Sequence, residues 1–139
     1  MDKVAVVYWS GTGNTEAMAK AMAVGMTDAG AEVDILEAGE ANASALAPYV
    51  KLAFGCPSMG DEVLEESVFE PLFTAIEGEL TEKKIALFGS YGWGDGKWMR
   101  DWKERVSAAG ATVMGEGFIA QGAADEEECI VFGKEFAAY

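Results

Sequence analysis

A short polar segment between an apolar run and a helical pattern is the feature that most constrains how this chain folds. The apolar run covers residues 4–8, the polar segment (Ser-Gly-Thr-Gly-Asn-Thr) covers residues 10–15, and the helical pattern begins at Glu16. This order predicts a β-strand, a small loop and the N-terminus of an α-helix. Such a loop exposes backbone N–H groups where the helix dipole favours negative charge. The segment is therefore suited to binding a phosphate group.

The chemistry of this segment narrows the ligand further. It contains no lysine or arginine. No Gly-x-Gly-x-x-Gly pattern begins at Gly11 or Gly13, and no Gly-Lys-Ser/Thr sequence closes a P-loop. Since both common nucleotide-binding fingerprints are absent, the expected ligand is a monophosphate held by neutral dipoles.

Apolar runs and helical patterns alternate along the chain. The strand candidates are residues 4–8, 32–36, 50–54, 84–88 and 112–120. Four helical segments between and after them carry apolar residues every three or four positions, and a short helix is indicated at residues 43–46. This alternation predicts a parallel sheet with helices on both faces. With 139 residues, of which 50% are hydrophobic, we expect one domain over residues 1–139.

Composition argues against several functional classes. The chain has 24 acidic and 10 basic residues, a formal net charge of −14, so nucleic acid and anionic membrane surfaces are unfavourable partners and basic proteins are favourable ones. No apolar run approaches the roughly 20 residues of a membrane span, and we expect a cytoplasmic protein. Histidine is absent, and Cys56 and Cys129 are far apart, so we expect no metal site and two cysteines that act as small buried hydrophobic residues.

Acidic residues are concentrated in the middle of the chain. No lysine or arginine occurs from Leu52 to Glu82, whereas eight acids fall there: Asp61, Glu62, Glu65, Glu66, Glu70, Glu77, Glu79 and Glu82. Two interpretations stay open, a solubilising surface and a docking face for basic proteins. If it is a docking face, the acids expected to matter most are Asp61, Glu62, Glu65, Glu66 and Asp95. Neutralising Glu65 and Glu66 would test docking with the least disturbance of a bound ligand.

Two later segments complete a recognisable pattern. Residues 59–62 (Met-Gly-Asp-Glu) follow the third predicted strand, and residues 89–96 (Gly-Ser-Tyr-Gly-Trp-Gly-Asp-Gly) follow the fourth. Together with residues 10–15, they resemble the flavodoxins, particularly the short-chain clostridial type, along the whole chain. The resemblance implies a three-layer α/β/α fold with a five-stranded parallel sheet in the order 2-1-3-4-5. It also implies non-covalently bound flavin mononucleotide (FMN), and we expect a monomer.

By this resemblance, the first segment binds the FMN phosphate. The N–H groups of residues 11–15 and the side chains of the polar residues form the phosphate site, with an aromatic residue beside it. The candidate residues are Trp9, Ser10, Gly11, Thr12, Gly13, Asn14 and Thr15.

The same resemblance implies that the second segment borders the pyrimidine and N5 side of the flavin. Met59 offers a polarizable thioether to one face of the ring, and Glu62 can accept a hydrogen bond from flavin N3–H. Because Gly60 lacks a Cβ atom, the Gly60–Asp61 peptide can reorient at low steric cost. We expect it to present its carbonyl to N5–H only when the flavin is the neutral semiquinone. The candidates are Pro57, Ser58, Met59, Gly60, Asp61 and Glu62.

The third segment places a tryptophan among glycines. The glycines let backbone N–H groups approach flavin O2 and N1, while Trp93 can stack on the ring. Trp98 and Trp102 are instead expected to be buried within a helix. The candidates are Ser90, Tyr91, Gly92, Trp93, Gly94, Asp95 and Gly96. Residues 121–124 form a shorter last loop than in close relatives, which leaves flavin contacts from that loop open.

The resemblance implies an electron-transfer protein rather than an enzyme, with no catalytic residue. We expect a soluble one-electron carrier that shuttles between semiquinone and hydroquinone at low potential, because nearby carboxylates and a site without positive charge disfavour the anionic hydroquinone. Its partners would be basic redox proteins, such as reductases. Two alternatives are a small FMN-dependent quinone or nitro reductase and a phosphate-binding module of the response-regulator type.

Overall fold

A parallel β-sheet forms the centre of the structure, a computed structural model that describes residues 3–139. Positions 1 and 2, which the single-domain prediction also covers, lie outside the described residues. The sheet order is β2-β1-β3-β4-β5, with β6 also paired to β4, and every strand pair is parallel. The strands are β1 (Val4–Tyr8), β2 (Val33–Glu37), β3 (Lys51–Gly55), β4 (Lys84–Tyr91), β5 (Thr112–Val113) and β6 (Phe118–Gln121). The predicted strand order is confirmed.

Helices cover both faces of the sheet, as predicted. They are α1 (Asn14–Asp28), α2 (Ala43–Leu46), α3 (Phe69–Glu77), α4 (Lys97–Ala108) and α5 (Glu126–Ala138), and a 3₁₀ turn lies at Ala38–Glu40. Alternate residues of β1 face opposite sides: Val4 and Val6 pack with α1 and α5, whereas Ala5 and Val7 pack with α3 and α4. This two-residue period explains why a strand buried on both faces is apolar throughout.

The methionine-rich helix α1 packs closely against α5. Met18, Met22 and Met26 are fully buried in the core on this face of the sheet. A Cβ atom at Gly25 would lie 1.9 Å from the carbonyl oxygen of Ile130, and one at Gly133 would lie 2.0 Å from that of Met22. Each helix therefore needs a glycine in its interior to let the two backbones approach.

The fifth predicted strand is divided in two, so the prediction of one continuous strand over residues 112–120 is wrong. β5 and β6 both pair with β4, and residues 114–117 separate them. Gly115 and Gly117 have φ angles of 66° and 94°, which take the chain out of the extended conformation. β4 also extends beyond the predicted Phe88 to Tyr91, because β6 gives its last four residues a hydrogen-bonding partner.

Candidate functional site

Three loops follow the carboxyl ends of β1, β3 and β4 at one edge of the sheet. We name them loop one (residues 9–13), loop two (residues 56–68) and loop three (residues 92–96). Backbone hydrogen bonds continue the sheet into this edge: Trp9 N–H donates to Gly55 O (3.0 Å), Cys56 N–H to Phe88 O (3.1 Å) and Ser58 N–H to Ser90 O (3.0 Å). The fold therefore brings together the three segments that the sequence singled out.

Loop one is organised by the Ser10 hydroxyl. Its oxygen accepts hydrogen bonds from Gly13 N–H (3.1 Å) and Glu16 N–H (3.3 Å). Gly11, Thr12 and Gly13 are exposed, and helix α1 begins immediately afterwards at Asn14. Because the first N–H groups of a helix have no intrahelical acceptor, this arrangement is suited to a bound anion.

Thr15 and Ser90 occupy a different position from the other candidates. Both residues are buried, their hydroxyl oxygens lie 3.1 Å apart, and Ser90 N–H donates to the Thr15 hydroxyl at 3.4 Å. These side chains fix the start of α1 to β4. Their contacts therefore hold loop one, which precedes α1, and loop three, which follows β4, in place.

A cavity of about 520 Å³ lies beside loop one, and some of the residues that line it were not predicted from the sequence to belong to the site. The Tyr8 hydroxyl donates to Glu16 at 2.8 Å and lies 3.4 Å from Glu37. Burial, followed by these two carboxylates, raises the pKa of Tyr8 above its usual range. The signal in the sequence was only that Tyr8 ends the first strand and Glu16 starts the helix, and neither fact reveals their contact. Trp9 lines the same cavity.

Loop two contains a small hairpin, which we define as residues 59–63. Met59 and Val63 exchange two backbone hydrogen bonds of 2.9 Å, so residues 60–62 form the tip, in which Gly60 and Asp61 are exposed and Glu62 is half-buried. Gly60 has a φ of 51° and Glu62 a φ of 57°. Left-handed backbone is readily adopted by glycine, and a Cβ atom at position 60 would meet no heavy atom within 4 Å. Any penalty for a larger residue at position 60 would therefore arise from backbone conformation rather than crowding.

Glu62 joins the hairpin to loop three. Its Oε1 accepts a hydrogen bond from Lys97 N–H at 2.9 Å, at the start of α4. A Cβ atom at Gly94 would lie 2.6 Å from Glu62 Cδ, and Gly94 has a φ of 92°. Gly94 thus gives the Glu62 carboxylate the space to reach α4, and the two loops hold each other.

Loop three exposes one tryptophan. Trp93 is 63% exposed, whereas Trp98 and Trp102 are buried in α4, as predicted. Gln121 Nε2 donates to Gly92 O at 3.1 Å, and Gly122 N–H donates to Tyr91 O at 3.0 Å. The short last loop therefore supports the backbone of loop three.

The charges beside loop three are paired. Asp95 forms a salt bridge of 3.0 Å with Arg100, and this hydrogen bond and charge lower the pKa of Asp95. Lys97 pairs with Asp101 at 2.7 Å. Basic side chains therefore stand on the first turn of α4, although none occurs in loop three itself.

Glu65 does not belong to an exposed docking face, so that part of the acidic-run interpretation is wrong. Its side chain is buried and accepts hydrogen bonds from residues 67–69, while the neighbouring Glu66 is exposed. The sequence places both acids in one polar run and carries no sign that the fold turns one inward. Both cysteines are buried, as predicted, and burial raises the pKa of Cys56 to about 12.

The arrangement fits a ligand with a phosphate at one end and a planar ring at the other. Loop one offers exposed N–H groups at the start of a helix, and loop three offers an exposed indole beside a hairpin with free space at Gly60. Within residues 3–139, no cluster of three or more histidine, cysteine or acidic residues could hold a metal ion, and no helix is long and apolar enough to cross a membrane.

Comparisons with known proteins agree with this geometry. A family model described as Flavodoxin matches residues 6–133. The chain is 50% identical over 134 residues to the flavodoxin of Clostridium beijerinckii, covering 95% of this chain and 97% of that protein. It is 45% identical over 134 residues to the flavodoxin of Megasphaera elsdenii, with coverages of 96% and 98%.

The structural comparison gives the same result. The solution structure of two-electron reduced Megasphaera elsdenii flavodoxin matches with a TM-score of 0.90 and 44% sequence identity, covering 98% of this chain and 99% of that one. The sequence and the fold are thus similar to those of short-chain flavodoxins over nearly their full length. This chain belongs to the flavodoxin family, whose members bind FMN and transfer electrons rather than catalyse a reaction as enzymes.

Proposed function

We propose that this chain is a soluble, low-potential one-electron carrier that holds FMN non-covalently between loops one, two and three and cycles between the semiquinone and hydroquinone. The cofactor-binding residues would be the twenty predicted from the sequence, in three groups. Those in or next to loop one are Trp9 to Thr15, those in loop two are Pro57 to Glu62, and those at the end of β4 and in loop three are Ser90 to Gly96.

The observation that carries this proposal is the coupling of loops two and three at the exposed edge of the sheet. Gly60 and Asp61 of the hairpin tip and Trp93 are exposed, and the Glu62 carboxylate links the hairpin to the first turn of α4. A planar ring that covers Trp93 would remove a large apolar surface from water. The same ring would lie within reach of the hairpin tip, which can change its backbone conformation at Gly60.

The charge distribution supports a low potential for the second electron. The phosphate would meet neutral N–H groups and hydroxyls, and the hairpin tip carries Asp61 and Glu62 within a chain of net charge −14. A site that does not neutralise the phosphate and adds carboxylates nearby raises the free energy of a further negative charge. Since a reduction potential measures how differently the protein binds two oxidation states, this repulsion lowers the potential.

A relative supports the proposal that two electrons can be taken up. The Megasphaera elsdenii flavodoxin, with which this fold matches closely, has a solved structure in its two-electron reduced state. When bound, FMN would supply the electron chemistry, and the residues of this chain would position it and set its potentials. The partners we propose are basic redox proteins, and we propose a cytoplasmic monomer with a single domain.

Titration of the apo-protein with FMN and with riboflavin tests the proposed site. We expect one FMN per chain and a much weaker affinity for riboflavin, which lacks the phosphate for loop one. A Ser10→Ala variant should lose affinity for FMN while its affinity for riboflavin stays the same, because Ser10 organises only the phosphate end. Equal affinities of the unaltered protein for FMN and riboflavin would show that loop one does not bind the phosphate.

A further inference from the structure

Glu65 is a buried acid at the far end of loop two. Its side chain is 5% exposed, although it stands between the hairpin and helix α3 in a polar stretch of sequence. A buried carboxylate needs hydrogen bonds or a counter-charge to offset the loss of hydration. Its surroundings therefore show what holds it there.

Four hydrogen bonds from three consecutive residues satisfy the carboxylate. Oε1 accepts from Val68 N–H and Phe69 N–H, both at 2.8 Å. Oε2 accepts from Ser67 N–H at 2.7 Å and from the Ser67 hydroxyl at 2.5 Å. Burial raises the pKa of Glu65, but these hydrogen bonds outweigh it and hold the pKa below the usual value. The carboxylate thus satisfies N–H groups at the start of α3, where a negative charge is favourable.

The backbone of Glu65 is fixed as well. Its N–H lies 3.3 Å from Cys56 Sγ, and its carbonyl accepts from Glu70 N–H at 2.8 Å. Cys56 is in turn held by β4 and α4, because its N–H donates to Phe88 O and its carbonyl accepts from Trp98 Nε1. Glu65 and Cys56 therefore bring the two ends of residues 57–64 together on the core of the protein.

The contacts of Glu65 and Cys56 form the base of the hairpin. Leu64, between the hairpin and Glu65, is buried in the core on the α3 and α4 side of the sheet, whereas residues 59–61 are exposed. We propose that Glu65 is a positioning residue whose carboxylate fixes the base of the hairpin and so controls the conformational freedom of the Gly60–Asp61 peptide. This inference rests on the proposed function, in which that peptide adjusts to the redox state of the bound cofactor.

Glutamine at position 65 is the informative change. The amide has nearly the same shape as the carboxylate, but only one of its two terminal atoms accepts hydrogen bonds, so its NH₂ group would face two of the four donors. We expect the base of the hairpin to loosen. Glu66→Gln is the matched control. It removes the same negative charge from the neighbouring residue, whose side chain is exposed.

Two readouts distinguish positioning from a purely structural role. In the apo-protein, hydrogen exchange of the Met59 and Val63 amides should accelerate about tenfold in Glu65→Gln relative to Glu66→Gln. In the FMN-loaded protein, the potential of the first electron should be lower in Glu65→Gln than in Glu66→Gln, because a looser hairpin holds the Gly60 carbonyl less firmly toward the ring. Ser67→Ala, which keeps the carboxylate but removes one donor, should shift both readouts in the same direction by less.

The outcomes are separable. Faster exchange together with a lower first potential supports the proposal, whereas a lower free energy of unfolding with both readouts equal to those of Glu66→Gln overturns it and leaves Glu65 as a helix cap. If Glu65→Gln does not fold, Ser67→Ala compared with Glu66→Gln decides on the same criteria. If the unaltered protein does not bind FMN, the proposed function fails, and the exchange comparison in the apo-protein still decides whether Glu65 holds the hairpin.

Discussion

At the scale of single residues, the site depends on a few side chains whose partners are distant in sequence. The residue types in the three segments were sufficient to predict where the loops lie and that Trp93 is exposed. They were not sufficient to predict that Glu62 reaches the first turn of α4 or that Glu65 turns inward. Those two contacts depend on how loop two packs against β4 and α4, which local sequence patterns do not report.

The backbone conformation of Gly60 gives the first prediction. Alanine in left-handed backbone costs roughly 1–2 kcal/mol, so Gly60→Ala should disfavour conformations of the hairpin tip that have a positive φ at position 60. We expect the potential of the first electron to fall by roughly 40–90 mV, with little change in the affinity for oxidised FMN. Gly78→Ala is the control, because Gly78 has a φ of −70° and its added Cβ would meet no heavy atom within 4 Å. An unchanged first potential in Gly60→Ala would remove the hairpin from the redox mechanism.

At the scale of elements, hydrophobic periodicity predicted the helices and strands well because their burial follows a regular repeat. It failed for the fifth strand, where Phe118 to Ala120 look like a continuation of Thr112 and Val113 although two glycines at positive φ interrupt the chain. It also gave no sign of the ionic contact between α3 and α4. Arg105 on α4 forms salt bridges with Glu70 (2.8 Å) and Glu77 (3.0 Å) on α3.

The contact between α3 and α4 predicts a pH dependence of stability. The Arg105 hydrogen bond, opposed by burial, lowers the pKa of Glu70 below its ordinary value of 4.5. A group with a lowered pKa in the folded state stabilises the protein above its unfolded-state pKa, and that contribution is lost as the pH falls through the folded-state pKa. Glu70→Gln should therefore lower the free energy of unfolding at pH 7, and its difference from the unaltered protein should shrink below about pH 4.5.

Urea denaturation over a range of pH values measures this difference. Glu79→Gln is the matched control, because Glu79 is an exposed acid just beyond the end of α3, and it should behave like the unaltered protein throughout. A Glu70→Gln effect that stays constant from pH 7 to pH 3 would show that the ion pair does not contribute through its charge.

At the scale of the whole molecule, composition predicts the net charge directly, whereas the fold decides where the charged residues lie on the surface. The net charge of −14 was evident from the sequence, but which acids face a partner depends on burial. Glu66 is exposed next to the edge of the sheet that carries the three loops, whereas Glu79 is exposed at the other end of α3, before β4 begins. The two positions allow a docking face to be distinguished from a general solubilising charge.

Electron transfer with a basic redox protein tests that distinction. If acids near the loops guide the partner, the bimolecular rate constant should fall as salt is added, and Glu66→Lys should lower it more than Glu79→Lys at low ionic strength. The two variants have the same net charge, so a general effect of charge would lower both rates equally. Equal rates for both variants would identify the acidic run as a solubilising surface.

The most direct test of the carrier function is a potentiometric titration of the FMN-loaded protein followed by visible absorption. We expect two separate one-electron steps, with a detectable one-electron reduced form between them. The second potential should lie below the corresponding potential of free FMN, because Asp61, Glu62 and the unneutralised phosphate oppose a further negative charge. A single two-electron step at the potential of free FMN would contradict the proposal that these three loops make the chain a low-potential one-electron carrier.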